Sequence, residues 1–390
     1  MINNIKYFSI LLLIIFISCQ KNNYDSPSSM YSEAGLISFS TKVETKAPII
    51  ETLKGRNFGV YGFKYSANTD WSTAKTKATP NTFMNQLVMC STSGACSYEY
   101  TPIIVDGNNI NADLVLESNK LEWELSRRYS FFAYFPYDGE SNGCIVSSGL
   151  TYQDKNKEPQ PNYEVPYIEY TMPAVGDDGY IDGSELLDIM TAKKIDHTVS
   201  NGTEVRFSFN HRLFCIDLYG HNFVEDVTIS NLSVTISGIR YNKSKIYLDK
   251  DRKVYDENLK QEVPVPSEPS TDNTWNPNSQ IKFKLLGQNE SVDITKDESS
   301  KSIIDNKIML IPQDSSNGDG LTFTIQFDKT TIVGEETVTK TVTVASKEFN
   351  INFQEGVKYD LTLNFISDSV TLIDVTTSDW DNKDVNHTFQ

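Results

Sequence analysis

The sequence predicts an all-β chain of two tandem β-sandwich domains, and three observations carry that expectation. Tyrosine and phenylalanine contribute 20 residues each, among many Thr, Ser, Val and Ile, the side chains that suit a pleated, half-buried surface. Short alternating stretches end in turn residues such as DGNN, DGESNG and QDKNKEPQP, with no long helical period between them, which is how strands of a sandwich read. The 390 residues, even less an 18-residue leader, exceed what one hydrophobic core organises.

The leader comes first. Residues 8–20, FSILLLIIFISCQ, follow a short segment carrying Lys6 and stop at Cys19, beyond which the chain is polar. A charged end, an apolar middle and a small-residue site make a secretion signal over 1–18. The apolar run is shorter than the roughly 20 residues a membrane-spanning helix needs. Ser18-Cys19 resembles the lipobox of bacterial lipoproteins, with Phe16 where a leucine is usual, and the resemblance implies an acylated Cys19 at the head of the mature chain. Each buried methylene then contributes about 0.8 kcal/mol of membrane attachment. Residues 19–34, polar and aperiodic, read as a tether.

The first sandwich is assigned to 35–198. GLISFSTKVE is its first strand, with Ile37 and Phe39 as apolar positions. In NFGVYGFKYS the glycines suggest close backbone approach. YEYTPIIV, LEWEL, RRYSFFAYFPY and NYEVPYIEYTMP follow as strands. The aromatics of Tyr129 to Tyr137 read as core packing in preference to a sugar-stacking platform. SELLDIMTA fits either a short helix with Leu186, Leu187 and Met190 on one stripe or an extended link.

The second sandwich is assigned to 199–390, after the turn HTVSNG. In EVRFSFNHRLFCIDLYG, Val205, Phe207, Phe209, Leu213 and Cys215 supply a period-two face. VTISNLSVTISGI, KIYL, QIKFKLL, KIMLIP, LTFTIQF, TVTKTVTVA, KYDLTLNF and VTLIDVTTSDW continue the pattern. Asp256 to Ser279, rich in Pro, Ser, Asn and acids, reads as a long exposed loop.

Charge and motifs narrow the function. Thirty-five basic against 52 acidic residues give −17, so nucleic acid would be repelled and is excluded as a partner. The four histidines, His197, His211, His221 and His387, fall in no HExxH or nucleophile arrangement, and GxxxxGK[ST] and GxGxxG are absent from the sequence. No catalytic residue, cofactor or metal site is therefore expected. The acidic run Val175 to Asp188 places Ile189 where a calcium-binding EF-hand loop needs its bidentate acid, and it reads as a solvated turn. Secretion permits a Cys90–Cys96 bridge closing a small loop, while Cys215, inside an apolar alternation, reads as a buried thiol.

SFFAYFPYDG, LLDIMTA, VRFSFNHRLFCIDL, MLIPQ and EGVKYDLTLNF, in that order, resemble the fimbrillin-like lipoproteins of Bacteroidales-type bacteria, which include pilins, anchors and tip proteins. The resemblance implies two transthyretin-like sandwiches, export to the outer-membrane surface as a lipoprotein, and a fimbrial or adhesive role among other fimbrial subunits and surface receptors. It implies assembly by donor-strand exchange: a first strand is cut away and a neighbour's C-terminal strand fills the groove. The family's cut follows an arginine. Here the connector offers Lys46, followed by a small residue, and Arg56, its only arginine, so an anchor that keeps its first strand is an alternative. A monomeric glycan- or ligand-binding surface lipoprotein is another.

Overall fold

The computed structural model describes residues 35–43, 53–74, 79–148, 166–223, 226–249, 253–256, 261–264, 268–269, 280–287, 289–296, 300–316, 320–366 and 369–379. The leader 1–18, Cys19 and the tether 19–34, Lys46 and His387 lie outside them. The described residues form an all-β protein whose α-helical content is the single turn Trp71–Ala74. Among them, no helix is long and apolar enough to cross a membrane.

The first half contributes β1 (Ser38–Val43), β2 (Asn57–Ser66), β3 (Phe83–Cys90), β4 (Cys96–Ser97), β5 (Arg127–Phe135), β6 (Ile145–Ser147), β7 (Tyr167–Thr171), β8 (Ile181–Asp182), β9 (Met190–His197) and β10 (Glu204–His211). Seven of these make one sheet in the order β1-β10-β9-β5-β2-β3-β4. Every pairing is antiparallel except the first, in which β1 runs parallel to β10. The sheet rolls so that its end strands β1 and β4 come alongside one another.

Both faces of this sheet are covered. Inside the roll, Phe39, Phe58, Phe83, Phe131 and Phe207 form one core. On the other face, Tyr61, Phe63, Phe132 and Tyr134 pack with Ile145 of β6 and Ile168 and Tyr170 of β7. Burial on both sides explains why SFFAYF is continuously apolar, since alternate residues of β5 serve opposite cores. The aromatics of β5 are thus core, as expected. Gly59 of β2 is dictated by this packing, because a Cβ there would sit 2.2 Å from the Tyr134 ring.

The second half contributes β11 (Phe214–Asn222), β12 (Val227–Ser237), β13 (Lys243–Tyr247), β14 (Gln280–Lys284), β15 (Ser291–Ile294), β16 (Ile308–Leu310), β17 (Thr322–Val333), β18 (Glu336–Ala345), β19 (Val357–Ile366) and β20 (Ser369–Asp379). One sheet runs β8-β14-β12-β17-β18 with β15 also on β12, and a second runs β11-β19-β20 with β16 on β11. Their inner residues share a core, with Phe327 and Phe365 5.9 Å apart across it. β13 joins β7 and β6 in the small sheet that covers the first half.

Two local expectations come out differently, and one left open between a helix and an extended link is decided. β10, read as the opening of the second sandwich, pairs with β1 and β9 in the sheet of the first. The HTVSNG turn before it is a hairpin within one sheet, and the chain changes sheets only at Arg212–Leu213. SELLDIMTA is extended: a single 3₁₀ turn, Gly183–Glu185, leads to β9 at Met190. The Asp256–Ser279 segment holds short strands where it is described, with Gln261–Pro264 paired to Lys253–Asp256 and Glu268–Pro269 paired to β13.

Candidate functional site

The chemistry that this fold offers most plainly is that of an edge strand. Residues 35–37 meet residues 121–123 through Ile37 N–H to Leu121 O (2.9 Å) and Trp123 N–H to Gly35 O (3.1 Å). From Ser38 onward the backbone joins β10 instead, in the register Ser38↔Glu204 to Val43↔Phe209. Alternation then sends Ile37 and Phe39 into the rolled core while Ser38, Ser40 and Lys42 face outward.

Phe39 is the centre of the contact. Its ring lies 5.5–5.9 Å from those of Phe83, Tyr98, Phe131 and Phe207. These rings come from β3, the segment after β4, β5 and β10, so β1 closes a groove that four separate segments build. Tyr98 seals its far wall: the hydroxyl donates to Ile37 O (3.1 Å) and accepts from Leu121 N–H (3.2 Å). Burial pushes the Tyr98 phenol well above its ordinary range, so it stays a neutral donor.

Cys90 and Cys96 face each other across the β3–β4 pair and are joined by a disulfide, with Cα atoms 3.9 Å apart. The bridge pins β4 as the wall beside β1. Cys215 is a buried thiol, and Cys144 is a half-buried one.

After β1 the connector 44–52 is outside the described residues, and the chain returns at Leu53, buried in the same core as Phe39. Arg56 has an exposed side chain but a held backbone. Its N–H donates to Leu53 O (3.0 Å) and its carbonyl accepts from Cys90 N–H (3.1 Å). A protease must draw the scissile segment into an extended conformation, and at Arg56 it would first have to break this turn.

The other singled-out residues serve local structure. His211 Nδ1 lies 2.7 Å from Asp188 Oδ1, with both side chains buried. His197 Nε2 bonds Gly202 O at 2.8 Å, and burial lowers the pKa of the ring. In the acidic run, Asp178 accepts from Tyr180 N–H and Asp182 from Ser184. Among the described residues, no group of three or more His, Cys, Asp and Glu is placed to hold a metal.

Sequence reading marked Phe39 as an apolar position of the first strand but did not identify the rings around it. Alternation tells which face a residue takes, whereas partners 44 to 168 positions away leave no local signal.

The chain matches the fimbrillin-like family over residues 45–380. No curated protein matches it. Among solved structures it is similar to a fimbrial protein from Bacteroides vulgatus, with a TM-score of 0.56, 18% identity, and 88% of this chain and 99% of that one covered; they share a fold. It also aligns with a candidate cell adhesion protein from Bacteroides ovatus, at a TM-score of 0.47 and 13% identity, covering 90% and 99% of the two chains.

Proposed function

We propose that this chain, which belongs to the fimbrillin-like family, is a subunit of a cell-surface fimbria that assembles by exchange of its first strand. The supporting observation is the attachment of β1: one parallel ladder on one side, two buried side chains, and a groove of rings beneath. Burial of Ile37 and Phe39 contributes about 1.5–3 kcal/mol each. While the connector is intact, β1 is held at an effective concentration in the millimolar range. Cutting the connector removes that advantage, and a strand from a neighbouring subunit can then replace β1. An empty groove would leave backbone groups of β10 unsatisfied, at about 1–3 kcal/mol each, which drives insertion.

Of the two basic candidates, Arg56 is the poorer target, because its peptide is locked and a cut after it would also remove Leu53 from the core. Cleavage after Lys46 keeps that anchor. The role is structural and adhesive, not catalytic. Acylated Cys19 holds the uncleaved chain in the outer membrane, and its partners are other fimbrial subunits.

N-terminal sequencing of protein from surface filaments and from the cell-bound pool tests this. A start between Ala47 and Asn57, and at Ala47 if the cut follows Lys46, is the expected filament result. A start at Cys19 in every pool overturns processing and assigns the chain to an anchor.

A further inference from the structure

A separate feature lies on the outer face of the second sandwich. There β12 carries a bulge: its register with β17 shifts between Ser230 and Ser233. At the bulge Asn231 adopts φ 50°, a left-handed conformation uncommon outside glycine. Bulges of this kind re-aim side chains and concentrate beside binding sites. The bulge opens a cleft of about 240 Å³ lined by Asn231, Ser233, Lys284, Gln326, Asp178 and Tyr180.

The lining is prearranged. Lys284, Ser233 and Gln326 sit opposite one another on β14, β12 and β17, in one row across the sheet. Tyr180 is presented by a turn closed by Gly176 N–H to Tyr180 O (2.8 Å), Gly179 N–H to Gly176 O (2.9 Å) and Tyr180 N–H to Asp178 Oδ1 (3.0 Å). The ring is half-buried, with Lys282 Nζ 5.7 Å from its centre.

We infer that this cleft binds a single neutral sugar ring. Two ammoniums, Lys284 in the lining and Lys282 near the Tyr180 ring, stand against two carboxylates, Asp178 in the lining and Asp182 beside Lys284, so the charges balance and neither an anion nor a cation is selected. The two amides and the Ser233 hydroxyl both donate and accept, which is what a ring of hydroxyls, each also donor and acceptor, requires. The Tyr180 face supplies an apolar surface for sugar C–H groups, as aromatic rings with a polar handle do at wet sites. The volume falls below the range of about 300–1,000 Å³ that drug-sized ligands occupy, which limits the occupant to one ring, at the end of a glycan or within it. The outer face around the row continues with Thr235, Thr324 and Thr343, a hydroxyl-rich surface along which a chain can lie.

The site is remote in the fold from β1 and stands whether or not strand exchange occurs. Saturation-transfer NMR on the full-length chain tests it, with galactose, mannose and N-acetylglucosamine as probes and N-acetylneuraminate and acetate as charged controls. Transfer to at least one neutral sugar is expected, with affinity falling about tenfold in Tyr180→Ala, several-fold in Gln326→Ala, and little in Tyr180→Phe, which keeps the ring. The Tyr180→Phe variant also controls for folding. Absence of transfer to all three neutral sugars, preference for N-acetylneuraminate over each of them, or undiminished binding by Tyr180→Ala overturns the proposal.

Discussion

Phe39 joins β1 to the rest of the protein more than any other described side chain of that strand. It is 3% exposed and touches four aromatic rings, so Phe39→Ala should destabilise the uncleaved chain by about 3–5 kcal/mol. Urea unfolding followed through Trp123 in the same core reads that loss, and a change below 1 kcal/mol would mean β1 is not packed as described. The buried phenols make a second prediction at this scale. Burial pushes Tyr61 and Tyr359 up to about 12, from about 10 in the unfolded chain. A raised folded pKa leaves stability whole below pH ~10 and removes it as pH rises toward the folded value. Two groups each losing about 1.4 kcal/mol per pH unit give roughly 5 kcal/mol between pH 10 and 12. Tyrosinate absorbance and circular dichroism should therefore change together in that window. Ionisation of the whole set of tyrosines below pH 11 with the fold intact would contradict it. That Phe39 is an apolar position of the first strand was legible in GLISFSTKVE; that it sits among rings from four segments was not, because side-chain period carries no information about partners.

Among elements, the wall beside β1 depends on the Cys90–Cys96 bridge. Closing so small a loop contributes about 2 kcal/mol in the chain-entropy account, enough to keep the two-residue β4 in place. Under non-reducing conditions, alkylation of the native protein should label Cys144, spare Cys215 until unfolding, and reach Cys90 and Cys96 only after reduction. Labelling of Cys90 and Cys96 without reductant would refute the bridge. The spacing of these cysteines allowed the bridge without requiring it, since sequence does not fix Cα distances. The two strands it joins, β3 and β4, were not read from the sequence, whereas β2 and β5 were, in NFGVYGFKYS and RRYSFFAYFPY. SELLDIMTA was not, because Leu186, Leu187 and Met190 fit a helical stripe as well as an extended link. The extended form places Asp188 against His211, a tertiary contact that outweighs local preference. β10 was misassigned for a related reason: a polar turn marks a hairpin and a domain boundary alike, and the long-range parallel partner that decides between them is 166 residues away.

At the scale of the molecule, the proposed lipid anchor at Cys19 precedes a first strand held at a sheet edge. Anchoring is testable by itself. Cys19→Ala should move the protein from the membrane to the soluble fraction and abolish fatty-acid labelling, because a chain without acyl groups lacks the methylenes that hold it; unchanged fractionation would remove the anchor. Polymerisation by strand exchange requires β1 to leave its groove. Ser40 and Arg206 are register partners on β1 and β10, and paired strands lie about 4.7–4.9 Å apart, within the roughly 4.4–6.8 Å that a disulfide spans. The decisive measurement is unboiled electrophoresis of surface preparations from cells making Ser40→Cys/Arg206→Cys, beside each single variant. With the staple formed, the double variant should be missing from the detergent-resistant ladder while both single variants enter it. A stapled chain that enters the ladder as fully as the single variants would contradict assembly through the β1 groove.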